Sequence, residues 1–308
     1  MQTLYTIETL EDLVKPGEPQ KILQQHFNQT RSLLVYLTWF VTEVARYAET
    51  QAHKKASKHL PTAEDLNINI KIAGNEILWK ILEDASIKEQ FEKEKPQLLL
   101  RQSQGESMEL IRKIYLELVE TQEYKNYIGT PSREKQDEKK IMEFILNDML
   151  LANEVFISHM EENFTGWNDD GEMVAQLLAG YIQKPGSFNF RQLLSPDKEQ
   201  FAKNLLQTVI DKADHLQSII TPKLKNWDPE RIAVLDMLLM KMGLAEFLYF
   251  ETIPPKVTIN EYIDLAKDYS TVQSGQFVNG ILDNIHKELV QQGKMQKVDY
   301  KKADKLKS

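Results

Sequence analysis

Residues 256–289 read KVTINEYIDLAKDYSTVQSGQFVNGILDNIHKEL, and this stretch decides the fold. Ile259, Tyr262, Ile263, Ala266 and Tyr269 recur at the spacing of one helical face, and Thr258 with Glu261 three residues on makes a capping box. A short amphipathic helix is therefore predicted, ending near Ser270. Ser274 can cap the next helix, where Val278, Ile281, Leu282, Ile285 and Leu289 form a single apolar stripe. Upstream, Asp228 followed by Pro229 starts a helix, because Asp accepts a first-turn N–H and Pro lacks a donor that would be orphaned there. That helix is predicted to run into the region of Phe250, since Pro254 and Pro255 prevent its continuation.

Two residues fit the last stripe poorly. Phe277 lies at its edge, and Gly280 sits mid-helix, where it costs roughly 1 kcal/mol relative to Ala. Two readings are open. Gly280 permits close helix-helix contact and Phe277 is ordinary core, or a ligand approaches the helix there.

Lys256-Val257-Thr258-Ile259-Asn260-Glu261, Leu265-Ala266-Lys267 and Phe277-Val278-Asn279-Gly280-Ile281-Leu282-Asp283 resemble the signature of the NusB family of transcription antitermination factors. Asp236 and Glu246 also sit at the spacing expected in that family's long helix, and the close match covers about 201–289. The resemblance implies a protein that binds single-stranded boxA-type RNA together with the NusE ribosomal protein, within the RNA polymerase antitermination complex. It further implies RNA contacts from Tyr5, Gln276, Phe277, Asn279 and Gly280, with Asp236 and Lys241 near the junction of RNA and protein partner. Unpaired bases offer faces that Tyr5 and Phe277 can stack, at about 1–3 kcal/mol per base. Asn260 and Glu261 read more simply as a helix start held by its own caps.

In that family an arginine-rich run precedes a segment similar to Gln2-Thr3-Leu4-Tyr5. Here no such run stands before it: either the chain departs from the family at this point or Met1 is an internal methionine, the second reading being preferred. Tyr5 itself is open between an RNA-facing aromatic and a residue that covers the end of a short helix.

The remaining chain is helical in pattern and long enough for more than one domain. Pro16, Gly17 and Pro19 break it, and a long helix begins near Gln20 with Phe27, Leu34, Leu37, Val41, Val44 and Ala48 in register. The apolar run from Leu33 to Val41 is too short to span a bilayer and reads as a buried helix. Thr62 with Asp65 marks a further cap. Helices are predicted at about Asn75–Lys95, Glu106–Tyr127, Ser132–Phe164, Glu172–Gln183 and Pro196–Ile220, the last capped by Ser195. Its Phe201, Leu205, Leu206, Val209 and Leu216 can pack on the C-terminal unit. No run of alternating β-branched residues is present, so the fold class is all-α: a NusB-like helical bundle with an additional N-terminal helical region. The expected organisation is a helical region over 1–190, a NusB-like core over 191–291 and a disordered basic tail over 292–308.

Charge is uneven. Residues 191–308 hold 17 Lys+Arg against 16 Asp+Glu, which leaves 21 against 30 for residues 1–190 of the chain's 38 and 46. The first 190 residues are a poor surface for phosphate, and RNA affinity of the rest should be modest. There are no cysteines, which removes disulfides and thiolate chemistry and agrees with a cytoplasmic setting. The six histidines form no His-x-x-x-His pair, and no Gly-rich phosphate loop follows a strand, so neither catalysis nor a metal or organic cofactor is expected. Against the RNA-binding reading stands a helical protein-protein scaffold that uses the acidic region. More remote is a subunit of an RNA methyltransferase.

Overall fold

The computed structural model describes residues 1–10, 15–60, 62, 68–98, 106–224, 232–271 and 273–298. Every regular element among them is helical. The predicted start at Asp228 and Pro229, the cap at Asp65, and the tail from 299 onward lie outside the described residues. The chain forms two compact units, Met1–His26 with Leu194–Ser308, and Phe27–Leu193.

Helix α1 spans Gln2–Thr9 and belongs to the first unit; α2, Glu18–Ala56, leads from the first unit into the second. Within the second unit α2 is the core: Leu33 to Leu37, Trp39 to Val41, Val44, Ala45, Tyr47 and Ala48 are buried. A helix apolar all round must be surrounded by others. Two of its buried threonines satisfy their hydroxyls on their own helix, Thr38 Oγ1 on Leu34 O at 2.7 Å and Thr42 Oγ1 on Trp39 O at 2.7 Å, while Thr30 Oγ1 donates to Asp170 Oδ2 at 2.5 Å.

Around it lie α3 (Glu76–Glu83), α4 (Ala85–Glu94), α5 (Glu106–Glu120), α6 (Gln122–Gly129), α7 (Lys135–Phe144), α8 (Glu154–Asn163) and α9 (Trp167–Gln183). Several predicted long helices are broken here by local capping. Asp84 ends α3 in an extended conformation and accepts from Ser86 N and Ile87 N at 2.7 and 3.3 Å, so Asn75–Lys95 is two helices. Thr121 caps α6 through Tyr124 N, and Asn153 caps α8 through Val155 N and Phe156 N. Between α7 and α8 the segment Ile145–Leu151 is π-helical, which shifts register while keeping Ile145, Leu146, Met149 and Leu150 buried. The α4 terminus is set by Lys95 at φ 49°, followed by Pro96.

The first unit is completed by α10 (Pro196–Asp211), α11 (Ala213–Ile220), α12 (Val234–Tyr249), α13 (Pro255–Tyr269) and α14 (Ser274–Gln291). The predicted helix Pro196–Ile220 is interrupted at Lys212, and Ser195 makes no side-chain cap. Helix α12 is buried from Leu238 to Phe247 except at Lys241, and α1, α10, α11, α13 and α14 all pack on it. Its neighbours come close at Gly243: a Cβ there would stand 3.0 Å from both Leu282 Cδ atoms and 3.3 Å from Tyr262 Cδ2. Leu4, Leu205, Leu206, Val209, Leu216, Val278, Leu282 and Ile285 share this core, with Phe201 at its edge.

Two further expected caps are not caps. Helix α13 starts at Pro255, and Thr258 is buried one turn in, donating to Glu246 Oε2 at 2.7 Å instead of closing a box with Glu261. Burial drives this exchange: the hydroxyl satisfies Glu246 Oε2, while Tyr262 OH serves Oε1 of the same carboxylate. Ser274 likewise opens α14 without capping it, for a reason given below. At the other end, Lys294 to Val298, expected to begin the tail, are held: Met295 packs on the core, Lys297 Nζ donates to Glu246 O and Phe250 O at 2.8 and 2.7 Å, and Val298 N to Glu251 O at 3.0 Å. The ammonium thereby serves the last carbonyls of α12.

Candidate nucleic-acid interface

The first turns of α14 carry most of the predicted RNA-contacting residues. Val278, Ile281, Leu282 and Ile285 face the core, which turns Gln276, Asn279 and Gly280 to solvent on the opposite side. Phe277 lies between the two faces, half-buried against the core. Among the described residues a Cβ at Gly280 would meet nothing within 4 Å, so no neighbouring helix among them requires a glycine there. The close-packing role belongs instead to Gly243 and to Gly275, whose Cβ would stand 2.9 Å from Lys267 Cγ and 3.6 Å from Ile263 O. Gly280 therefore leaves an exposed strip of bare helix backbone flanked by two amides and an aromatic edge.

Asp236 and Lys241 are separated by the helix that carries them. Five residues apart, they point about 140° from each other around α12. Asp236 is 5% exposed, and its Oδ2 accepts from Ser274 Oγ at 2.9 Å, while Lys241 is half-buried. Ser274 was legible as a polar residue at a helix start. Its actual partner, a carboxylate 38 residues away, was not. Tyr5 is 46% exposed on α1, whose Leu4 is buried in the same core that receives α12 and α14. Its neighbour Thr3 meets His26 Nδ1 at 3.0 Å, which ties α1 to the start of α2.

Beneath the surface the unit holds a second buried acid besides Asp236. Glu246 accepts from Thr258 Oγ1 and Tyr262 OH, each at 2.7 Å. Burial raises its pKa above the ordinary carboxylate value, against the opposing pull of those two hydroxyls and Lys297. Tyr262 is held far above its usual pKa, by burial first and then by the adjacent carboxylate. This trio fixes α12 to α13. The exposed strip itself offers amide donors and acceptors, an aromatic edge and little charge, with Asp283 already paired to Lys287 at 2.6 Å. Such a surface suits base edges and base faces rather than phosphate charge. Among the described residues no three His, Cys, Asp or Glu side chains come together to hold a metal ion, and no helix is long and apolar enough to cross a membrane.

The NusB family profile matches residues 166–287. Three proteins named transcription antitermination protein NusB are similar to this chain. That of Salinibacter ruber is 40% identical over 102 residues, 33% of this chain and 64% of that protein. That of Chloroherpeton thalassium is 39% identical over 99 residues, 32% and 47% of the two. That of Methylacidiphilum infernorum is 39% identical over 101 residues, 33% and 70% of the two. The chain thus spans less than two thirds of the Salinibacter and Chloroherpeton proteins. A solved structure of T. maritima NusB is 25% identical, covering 49% of this chain and 91% of that one, with a TM-score of 0.30.

Proposed function

The chain belongs to the NusB family, and from that premise we propose that it is a transcription antitermination factor whose α14 turn holds single-stranded RNA. The RNA is of boxA type and is bound together with the NusE ribosomal protein, so that the complex acts on RNA polymerase. One observation carries the reading: Gln276, Asn279 and the bare backbone of Gly280 share the solvent face of α14, beside the half-exposed ring of Phe277. The mid-helix glycine costs stability and has no packing partner among the described residues, which supports a use outside the fold. In this reading a base stacks on Phe277, the amides of Gln276 and Asn279 meet base edges or backbone, and Gly280 lets a nucleotide lie against the helix. Tyr5 supplies a second stacking ring and Lys241 a cation toward the protein partner.

Fluorescence anisotropy with a short boxA-type RNA, titrated with and without NusE, tests this. Binding that NusE tightens is expected. A second reading, a helical scaffold without RNA binding, is favoured by the surplus of 30 acidic over 21 basic residues in 1–190. It takes over if no RNA binds at low salt even with NusE present.

A further inference from the structure

We propose that Asp236 is a positioning residue for the RNA-holding turn, acting through Ser274 and touching neither RNA nor partner. The inference rests on the reading of α14 given above. Asp236 lies in the first turn of α12 and Ser274 is the first residue of α14, so their hydrogen bond joins two helix starts. Both residues are buried, at 5% and 4% exposure. Around Ser274 Oγ the loop folds inward: Thr271 N donates to it at 3.2 Å, and Ser270 Oγ and Thr271 Oγ1 each lie 2.9 Å away. A single hydroxyl thus connects the end of α13, the loop and the start of α14 to one carboxylate. A negative charge near the N-terminal end of a helix is favourable, and here it stands near two. Among the described residues helix α14 has no side-chain cap, and a Cβ at Gly275 would stand 2.9 Å from Lys267 Cγ and 3.6 Å from Ile263 O, so the start of α14 runs close to α13.

What distinguishes this from ordinary core packing is the other oxygen. Asp236 Oδ1 is buried with no hydrogen-bond partner among the described residues. A buried acceptor left without a donor costs stability, so this carboxylate is not the most stable filling of its site. Its return is the fixed direction of α14, on which Gln276, Phe277 and Asn279 follow within five residues of Ser274.

The test compares Asp236→Ala, Asp236→Asn, Ser274→Ala, Phe277→Ala and the Asp236→Ala/Phe277→Ala double variant of the full chain. Two readouts are taken: affinity for boxA-type RNA in the presence of NusE, and hydrogen exchange across 270–280. Asp236→Ala and Ser274→Ala should speed exchange in that segment while leaving the α12–α13 contact protected, and should weaken RNA binding by about tenfold. Asp236→Asn keeps an amide oxygen for Ser274 and should restore most of both. The double variant should bind about as weakly as Phe277→Ala alone, because both changes disable one turn. Independent, multiplying losses with unchanged exchange would overturn the proposal, since Asp236 would then contact a ligand directly. If Asp236→Ala does not fold, Ser274→Ala decides: unchanged exchange and affinity in that variant overturn the proposal. Wild-type chain that binds no RNA defeats the RNA-binding reading, whereas the exchange experiment, which needs no RNA, still decides whether Asp236 sets the turn.

Discussion

Two of the helical glycines of the first unit should respond oppositely to alanine. Gly280 and Gly243 both lie inside helices, and each would gain about 1 kcal/mol from the better propensity of Ala. At Gly280 the new Cβ meets nothing within 4 Å among the described residues, so the gain stands and the transition of this unit should rise by about 2–4 °C. At Gly243 the Cβ would press on both terminal methyls of Leu282 at 3.0 Å and on Tyr262 at 3.3 Å. Leu282 is fully buried and Tyr262 is tied to Glu246, so neither can yield freely. Overpacking of this kind costs about 1–3 kcal/mol, which outweighs the propensity gain and leaves Gly243→Ala destabilised by about 1 kcal/mol. Urea unfolding followed by circular dichroism gives both values, and RNA anisotropy with NusE supplies the functional half. Gly280→Ala should bind RNA about tenfold more weakly despite its greater stability, because the methyl stands where the strand approaches. A Gly280→Ala protein that is less stable than wild type would refute the reasoning about open space. One that binds RNA undiminished would remove Gly280 from the interface.

Other consequences can be checked singly. Asp84 accepts from Ser86 N, Ser86 Oγ and Tyr181 OH; burial pulls its pKa upward, but these hydrogen bonds outweigh it and hold it below its ordinary 3.8. Its contribution is therefore present above that pH and lost as pH falls through the lowered folded value, and Asp84→Ala should cost about 1–2 kcal/mol at pH 7 and progressively less in acid. For Glu246 the sign reverses. Its folded pKa is raised by burial above 4.5, so the folded state holds the proton more tightly, and the stability of wild type relative to Glu246→Gln should decline as pH rises upward from 4.5. A flat difference in thermal midpoint between pH 4 and pH 7 would contradict the burial of that charge. Because the α14 strip holds little positive charge, the plot of log affinity against log salt should be shallow, with a slope no steeper than about −2, as for some three phosphates on a single strand.

The fold class, the stripe of α14 and the buried middle of α2 were legible because hydrophobic periodicity reports which face meets a core. Phe277 and Gly280 could be singled out because they break that periodicity at the edge of a clear stripe. Helix breaks at Asp84, Thr121 and Asn153 were not, since a polar residue inside a helical pattern does not announce that it will turn and cap the next segment. Thr258 followed by Glu261 and Ser274 at a helix start both read as caps, yet each spends its hydroxyl on a buried carboxylate far along the chain, at Glu246 and Asp236. Local patterns cannot reveal those partners. The same holds for Gly243, whose need for a bare Cα arises only when Leu282 and Tyr262 close over it.

Photo-crosslinking tests the central claim most directly. A boxA-type RNA carrying 4-thiouridine, bound with NusE to the full chain and mapped by mass spectrometry, should crosslink within 276–280 and at Tyr5. Crosslinks confined to Phe27–Leu193 would contradict the account and place the RNA surface in the second unit, and a set of crosslinks with none on α14 would contradict it as well.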